Sequence, residues 1–127
     1  YRAGVKTEED KQKTSLEFFT NIENNLYTVC IRGAGNFSVR LYETLMMGRI
    51  PVVIASDAKL PLENYINWEK HIILTNSENI LKDLVAFHEK SSNEALIEIQ
   101  KNNRELILGL FQIVNYFAAL YQFKNEF

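Results

Sequence analysis

Six apolar residues in a row, IPVVIA from Ile50 to Ala55, most constrain what this chain becomes. A half-exposed strand alternates apolar with polar residues, whereas an unbroken run of this length is buried on both faces, as strands of a parallel sheet are. Pro51 is tolerable near the start of such a strand. Parallel neighbours need crossovers, so helical patterns should separate this strand from others. They do. YTVCI (Tyr27–Ile31) and HIILT (His71–Thr75) read as two more strands, and SVRLYETLMM between the first two carries strong helix formers up to Gly48, a natural stop. The expected fold class is α/β: a small parallel sheet with helices on both faces through right-handed crossovers. LPLENYINWEK, before the third strand, is too irregular for more than one helical turn.

The flanking segments are helical. TEEDKQKTSLEFFTNIENNL opens with Thr7 and Asp10 spaced as a capping box, acids in its first turn, and Leu16, Phe19, Ile22 and Leu26 on one face. After the third strand, Thr75 with Glu78 and then Ser91 with Glu94 repeat the capping spacing. The first of these helices carries a stripe of Ile80, Leu81, Leu84, Val85 and His88, and Gly109 is a candidate bend further on. Leu106 to Phe123 holds 18 residues without a charge, the lower limit for crossing a bilayer. Gln112, Asn115 and Gln122 put a polar stripe on it, which with its tyrosines suits a helix packed on several sides in a protein interior or interface better than lipid.

The 127 residues are enough for one core and one domain. A net charge of −2, with both signs mixed, argues against nucleic acid or an anionic membrane as partner. Any bound anion must therefore be held by a local site. Cys30, the lone cysteine, excludes an intrachain disulfide and reads as a small core residue. His71 and His88 read as structural, and no His/Cys/Asp/Glu set has metal-ligand spacing.

Such a site is offered by RGAGNFSVR, between the first strand and its helix. In open parallel sheets, ligands gather where strand carboxyl ends meet helix N-termini. Gly33 and Gly35 allow a tight turn and close approach, the helix N–H groups from about Phe37 onward attract an anion, and Asn36 or Ser38 is placed to cap the helix and touch a ligand. Arg32 and Arg40 stand where a helix tip repels cations, so a bound phosphate or diphosphate would account for both. Pairing of Arg40 with Glu43 is the plainer alternative. Glu43, one turn in, is placed to accept hydrogen bonds from a ribose diol, while Leu41 and Leu45 point to the core. A dinucleotide-binding unit fits less well: G-A-G-N-F-S lacks the third glycine of G-x-G-x-x-G, although Asp57 follows the second strand at a plausible distance.

The stretch Tyr27 to Thr75 resembles the C-terminal half of exostosin-like glycosyltransferases. The shared pattern is an aromatic strand, R-G-x-G-x-F/W-S-x-R-x-x-E-x-L, G-x-I-P-V, an aspartate, L-P, and a W-K-like segment before the next strand. The resemblance implies the C-terminal half of a glycosyltransferase B fold, a Rossmann-like domain that binds a nucleotide sugar, usually a UDP-sugar, for inverting transfer to a glycan or polysaccharide. Residue by residue, it implies Arg32 and Arg40 as diphosphate ligands, Gly33, Ala34, Gly35, Asn36, Phe37 and Ser38 as the backbone cradle, and Glu43 on the ribose. Asp57 faces the sugar or is simply a turn residue. No metal or other cofactor is expected, and the catalytic base would lie in the other domain.

Two alternatives remain open beside this one: a non-catalytic nucleotide-binding module of the same fold, and an NAD-binding unit. A chain that begins at Tyr1 suggests an excised piece of a longer enzyme, unable to transfer sugar alone, whose Leu106–Phe123 segment is an interface inviting self-association. The lone cysteine and the missing leader point to the cytoplasm or the cytoplasmic face of a membrane, and the resemblance implies the Golgi lumen for a eukaryotic source.

Overall fold

The computed structural model describes residues 7–32, 38–54 and 59–122. At its centre lie β1 (Tyr27–Cys30), β2 (Ile50–Ile54) and β3 (Ile73–Thr75), all parallel, with β2 in the middle. Val29 pairs with Val52 and Val52 with Ile73, so these three share one face; Cys30, Val53 and Leu74 share the other. From Ile50 to Val53 every residue of β2 is buried, as a continuous apolar run requires. The outer strands are covered less fully, and Val29 and Leu74 remain exposed.

Helices cover both faces. On one, α2 (Val39–Met46) lays Leu41 and Leu45 over Cys30 and Val53, joined by Ile107 of α4 (Asn93–Gly109) and by Leu62, Ile66 and Trp68 from the segment before β3. On the other, α3 (Ile80–Lys90) packs Ile80, Leu84 and Phe87 against Ile50, Val52 and Ile73, with Leu96 of α4. α4 therefore reaches both halves of the core. This is a small α/β unit with a three-stranded parallel sheet flanked by helices, consistent with half of a glycosyltransferase B fold.

Local chemistry explains the boundaries. α1 (Glu8–Glu23) starts on the expected capping box: the Asp10 N–H donates to Thr7 Oγ1 at 3.0 Å and the Thr7 N–H to Asp10 Oδ2 at 3.1 Å. Only Ile22 of this helix is fully buried, and Leu16 of the expected apolar face points to solvent. α2 stops before Gly48, whose φ of +63° is one that glycine adopts without strain. The single turn expected before β3 is a 3₁₀ turn at Trp68–Lys70.

Both later caps differ from the expectation. Thr75 remains within β3 and donates to Asp83 Oδ2 at 2.6 Å; its neighbour Asn76 accepts from the N–H groups of Glu78 and Asn79 and sets the turn into α3. Ser92, not Ser91, caps α4 through the Ala95 N–H, while Ser91 Oγ donates back to the Phe87 carbonyl. The buried stripe of α3 is rotated as well: Leu81 and Val85 are exposed and Phe87 faces the core.

The uncharged run is broken. α4 ends at Gly109 and α5 (Ile113–Gln122) begins after a turn, with Asn115 Nδ2 donating to the Gly109 carbonyl at 2.6 Å. Ala119 is buried, and Tyr116 stacks on Phe111 at 5.5 Å, but Phe117 and Tyr121 face outward. Among the described residues no helix is long and apolar enough to cross a membrane.

Candidate functional site

β1 and β2 run parallel and end on the same edge of the sheet, beside the N-terminus of α2. A small groove opens there, with about 20 Å³ of enclosed space. Cys30 and Arg32 line it from β1, and Ser38, Leu41 and Tyr42 from the tip of α2. The rest of its lining comes from the end of β2 and from residues further along the chain: Val53, Ile54, Lys59, Leu60 and Pro61. Its described walls carry two cations and no carboxylate, although the chain as a whole is acidic.

Of the residues singled out in the sequence, Arg32 and Ser38 are brought together in this groove. Ser38 is the N-cap of α2, extended at φ −118° and ψ 119°, and its side chain makes no capping hydrogen bond. The first turn of α2 contains no acid, which leaves the positive end of the helix dipole without a counter-charge of its own. Gly33, Ala34, Gly35, Asn36, Phe37 and Asp57 lie outside the described residues.

Arg40 occupies the first turn of α2, outside the groove walls. Its guanidinium lies over the ring of Phe18, 4.8 Å from the centroid, so α1 supplies an aromatic seat for it. Among the described residues it forms no ion pair with Glu43. Glu43 itself is half-buried, one turn further along and likewise outside the walls. Arg40 and Glu43 nonetheless both act on the Cys30 thiol, in opposite senses.

Cys30 forms part of the floor. Burial pushes its thiol up to about 11, outweighing the lowering by the Thr44 hydroxyl and by Arg40. A thiol so disfavoured from ionising is a packed core group and no nucleophile at neutral pH. Burial also raises the Tyr42 phenol, reinforced by Tyr116, and Tyr42 meets Phe111 edge-on at 5.8 Å. Both histidines are hydrogen-bonded to other side chains. His71 Nδ1 sits 2.8 Å from Asn103 Oδ1, and His88 Nδ1 lies 2.8 Å from the Tyr27 hydroxyl. Among the described residues no three His, Cys, Asp or Glu side chains gather as a metal site would need.

Sequence reasoning missed Lys59 and Tyr42. The signal for Lys59 was its place just beyond the carboxyl end of β2, two residues after Asp57. Tyr42 had none beyond helical phase, since the same pattern reads as core.

Chemically, the groove combines hydroxyl donors and positive charge from Ser38, Tyr42, Arg32 and Lys59 with apolar lining from Leu41, Val53, Ile54, Leu60 and Pro61. That combination suits a ligand with an anionic group attached to a flat or apolar body.

Residues 2–91 match the Exostosin GT47 domain family. A probable glucuronosyltransferase of Oryza sativa subsp. japonica is 29% identical over 93 residues, covering 72% of this chain and 21% of that protein. A probable glucuronoxylan glucuronosyltransferase of Arabidopsis thaliana is 31% identical over 86 residues, 68% of this chain and 18% of the relative. The probable glucuronosyltransferase 47 A of Physcomitrium patens is 30% identical over 63 residues, 50% of this chain and 14% of the relative. The chain spans about a fifth or less of the length of these curated relatives.

Proposed function

This chain belongs to the Exostosin GT47 domain family of glycosyltransferases, and on that basis we propose that it is the donor-binding domain of a longer enzyme. The donor is a UDP-sugar, with a uronic acid as the favoured sugar given the relatives' names. The observation that carries this reading is the groove at the joint carboxyl ends of β1 and β2, with cations on its walls and a helix tip at its side.

In this reading Arg32 binds the diphosphate, joined by Arg40 when its side chain turns in from Phe18, and the Gly33–Ser38 backbone cradles it. Glu43 holds the ribose. As the glycosidic bond to the diphosphate breaks, charge develops on the leaving group, and fixed cations with a helix dipole stabilise it most at that moment. No metal is needed for that step. The acceptor and the base that takes its proton come from the rest of the enzyme, so the chain alone binds donor without transferring sugar.

Calorimetric titration with UDP tests the reading. UDP should bind, and Arg32→Ala should weaken it by about tenfold or more, the usual scale for a charge-assisted phosphate contact. Binding of NAD in place of UDP would overturn the reading. If the longer protein binds UDP yet turns over no donor, the domain is a non-catalytic nucleotide-binding module.

A further inference from the structure

We infer that Lys59 is a donor ligand: it supplies, from the β2 side of the groove, the second cation of an oxyanion grip whose first is Arg32. The inference rests on the nucleotide-sugar reading above and extends it to a residue that the motif does not include.

Topology places the two cations. Arg32 follows β1 and Lys59 follows β2; these strands are neighbours and parallel, so both cations emerge at the same end of the sheet and line one groove. No carboxylate stands among the described lining residues, and Ser38 and Tyr42 are the other side chains with polar groups there. An anionic ligand in this groove thus has two cationic side chains within its lining.

The backbone beneath Lys59 is held in place. Leu60 packs against the core, and the Pro61 carbonyl accepts a hydrogen bond from Trp68 Nε1 at 3.0 Å. Leu62 is buried with φ +50°, a left-handed conformation that a leucine keeps only when its surroundings enforce it. Lys59 is the exposed residue at the head of this anchored segment. Its compact ammonium, on a flexible four-carbon stem, can reach an oxyanion without any movement of the main chain.

The partner of Lys59 is an oxyanion of the donor, either a phosphoryl oxygen or the carboxylate of a uronic acid. Titration of the chain and its variants with UDP, UDP-glucose and UDP-glucuronate separates these sources. If the phosphate is the partner, Lys59→Ala weakens all three ligands by about tenfold. If the carboxylate is, it weakens UDP-glucuronate alone by that factor. In both cases Lys59→Arg, which keeps the charge, restores most of the affinity.

Suppose instead that Lys59→Ala binds all three ligands within twofold of the original while Arg32→Ala weakens UDP. The assignment of Lys59 is then wrong and the nucleotide reading stands. If the unaltered chain binds none of the three, the nucleotide reading falls and this inference falls with it.

Discussion

Asn103 holds His71 by two of its atoms at once: Asn103 Oδ1 sits 2.8 Å from His71 Nδ1, and Asn103 Nδ2 donates to the His71 carbonyl at 2.9 Å. The same Nδ2 donates to the Arg49 carbonyl at 2.9 Å. With its amide nitrogen so engaged, the asparagine oxygen must accept from the imidazole, which assigns the His71 proton to Nδ1. One fully buried side chain of α4 thus ties the approaches to β2 and β3 together. Replacing Asn103 by Leu strands two partly buried carbonyls and the His71 N–H and should cost about 2–4 kcal/mol, read as a lower urea midpoint at unchanged m-value. A loss below about 1 kcal/mol would show that water takes over those bonds.

Gly48 should resist substitution for two separate reasons. Its φ is +63°, and an added Cβ would lie 3.3 Å from the Gln100 carbonyl oxygen. Gly48→Ala is expected to destabilise by about 1–2 kcal/mol from the left-handed backbone alone, with the close contact adding to it. Thermal melting checks this, and a neutral result would mean that the α2 terminus can rearrange.

The Cys30 thiol makes stability depend on pH in one direction. Its value in the folded chain rises from the ordinary 9.0 to about 11, so the fold holds the thiol proton more tightly than the unfolded chain does. The contribution is complete below about pH 9 and is lost as pH rises towards 11, amounting to about 2–3 kcal/mol for a group this deeply buried. Denaturation of the chain and of Cys30→Ala across that range should converge. Tyr27 and Tyr42 are also raised by burial and act in the same direction at higher pH, so the difference between the two proteins is the quantity to follow.

Salt should separate the parts of the ligand. Between about 0.1 and 1 M ionic strength the screening length drops from roughly 10 to 3 Å, and cations on exposed groove walls lose reach. UDP affinity is expected to fall severalfold over that range while uridine binding stays nearly constant. Equal sensitivity of both ligands would argue that the charges do not face the phosphates.

Much of the architecture is legible from residue order because local and global preferences agree. Continuous burial from Ile50 to Val53, the Thr7–Asp10 box and the stop at Gly48 are each decided within a few residues of chain. The misplacements fall where two neighbours could play one part. Thr75 and Asn76 both offer an oxygen, but the Thr75 hydroxyl is drawn to Asp83. Ser91 and Ser92 likewise divide between closing α3 and opening α4. Which side of α3 is buried depends on the sheet face above it, and that is tertiary information. At the candidate site, Arg32 and Ser38 were legible because the loop pattern names them. Lys59 was not, since its partner wall is brought close only when β1 and β2 pair.

The turn between α4 and α5 also settles a question of length. At 1.5 Å per residue the 10 residues of α5 extend only about 15 Å, half of a bilayer's hydrocarbon thickness. Joined end to end as one straight rod, the uncharged residues from Leu106 to Phe123 would extend about 27 Å, close to that full thickness. The Asn115 amide, which donates to the Gly109 carbonyl, bridges the turn that divides this uncharged stretch between two helices.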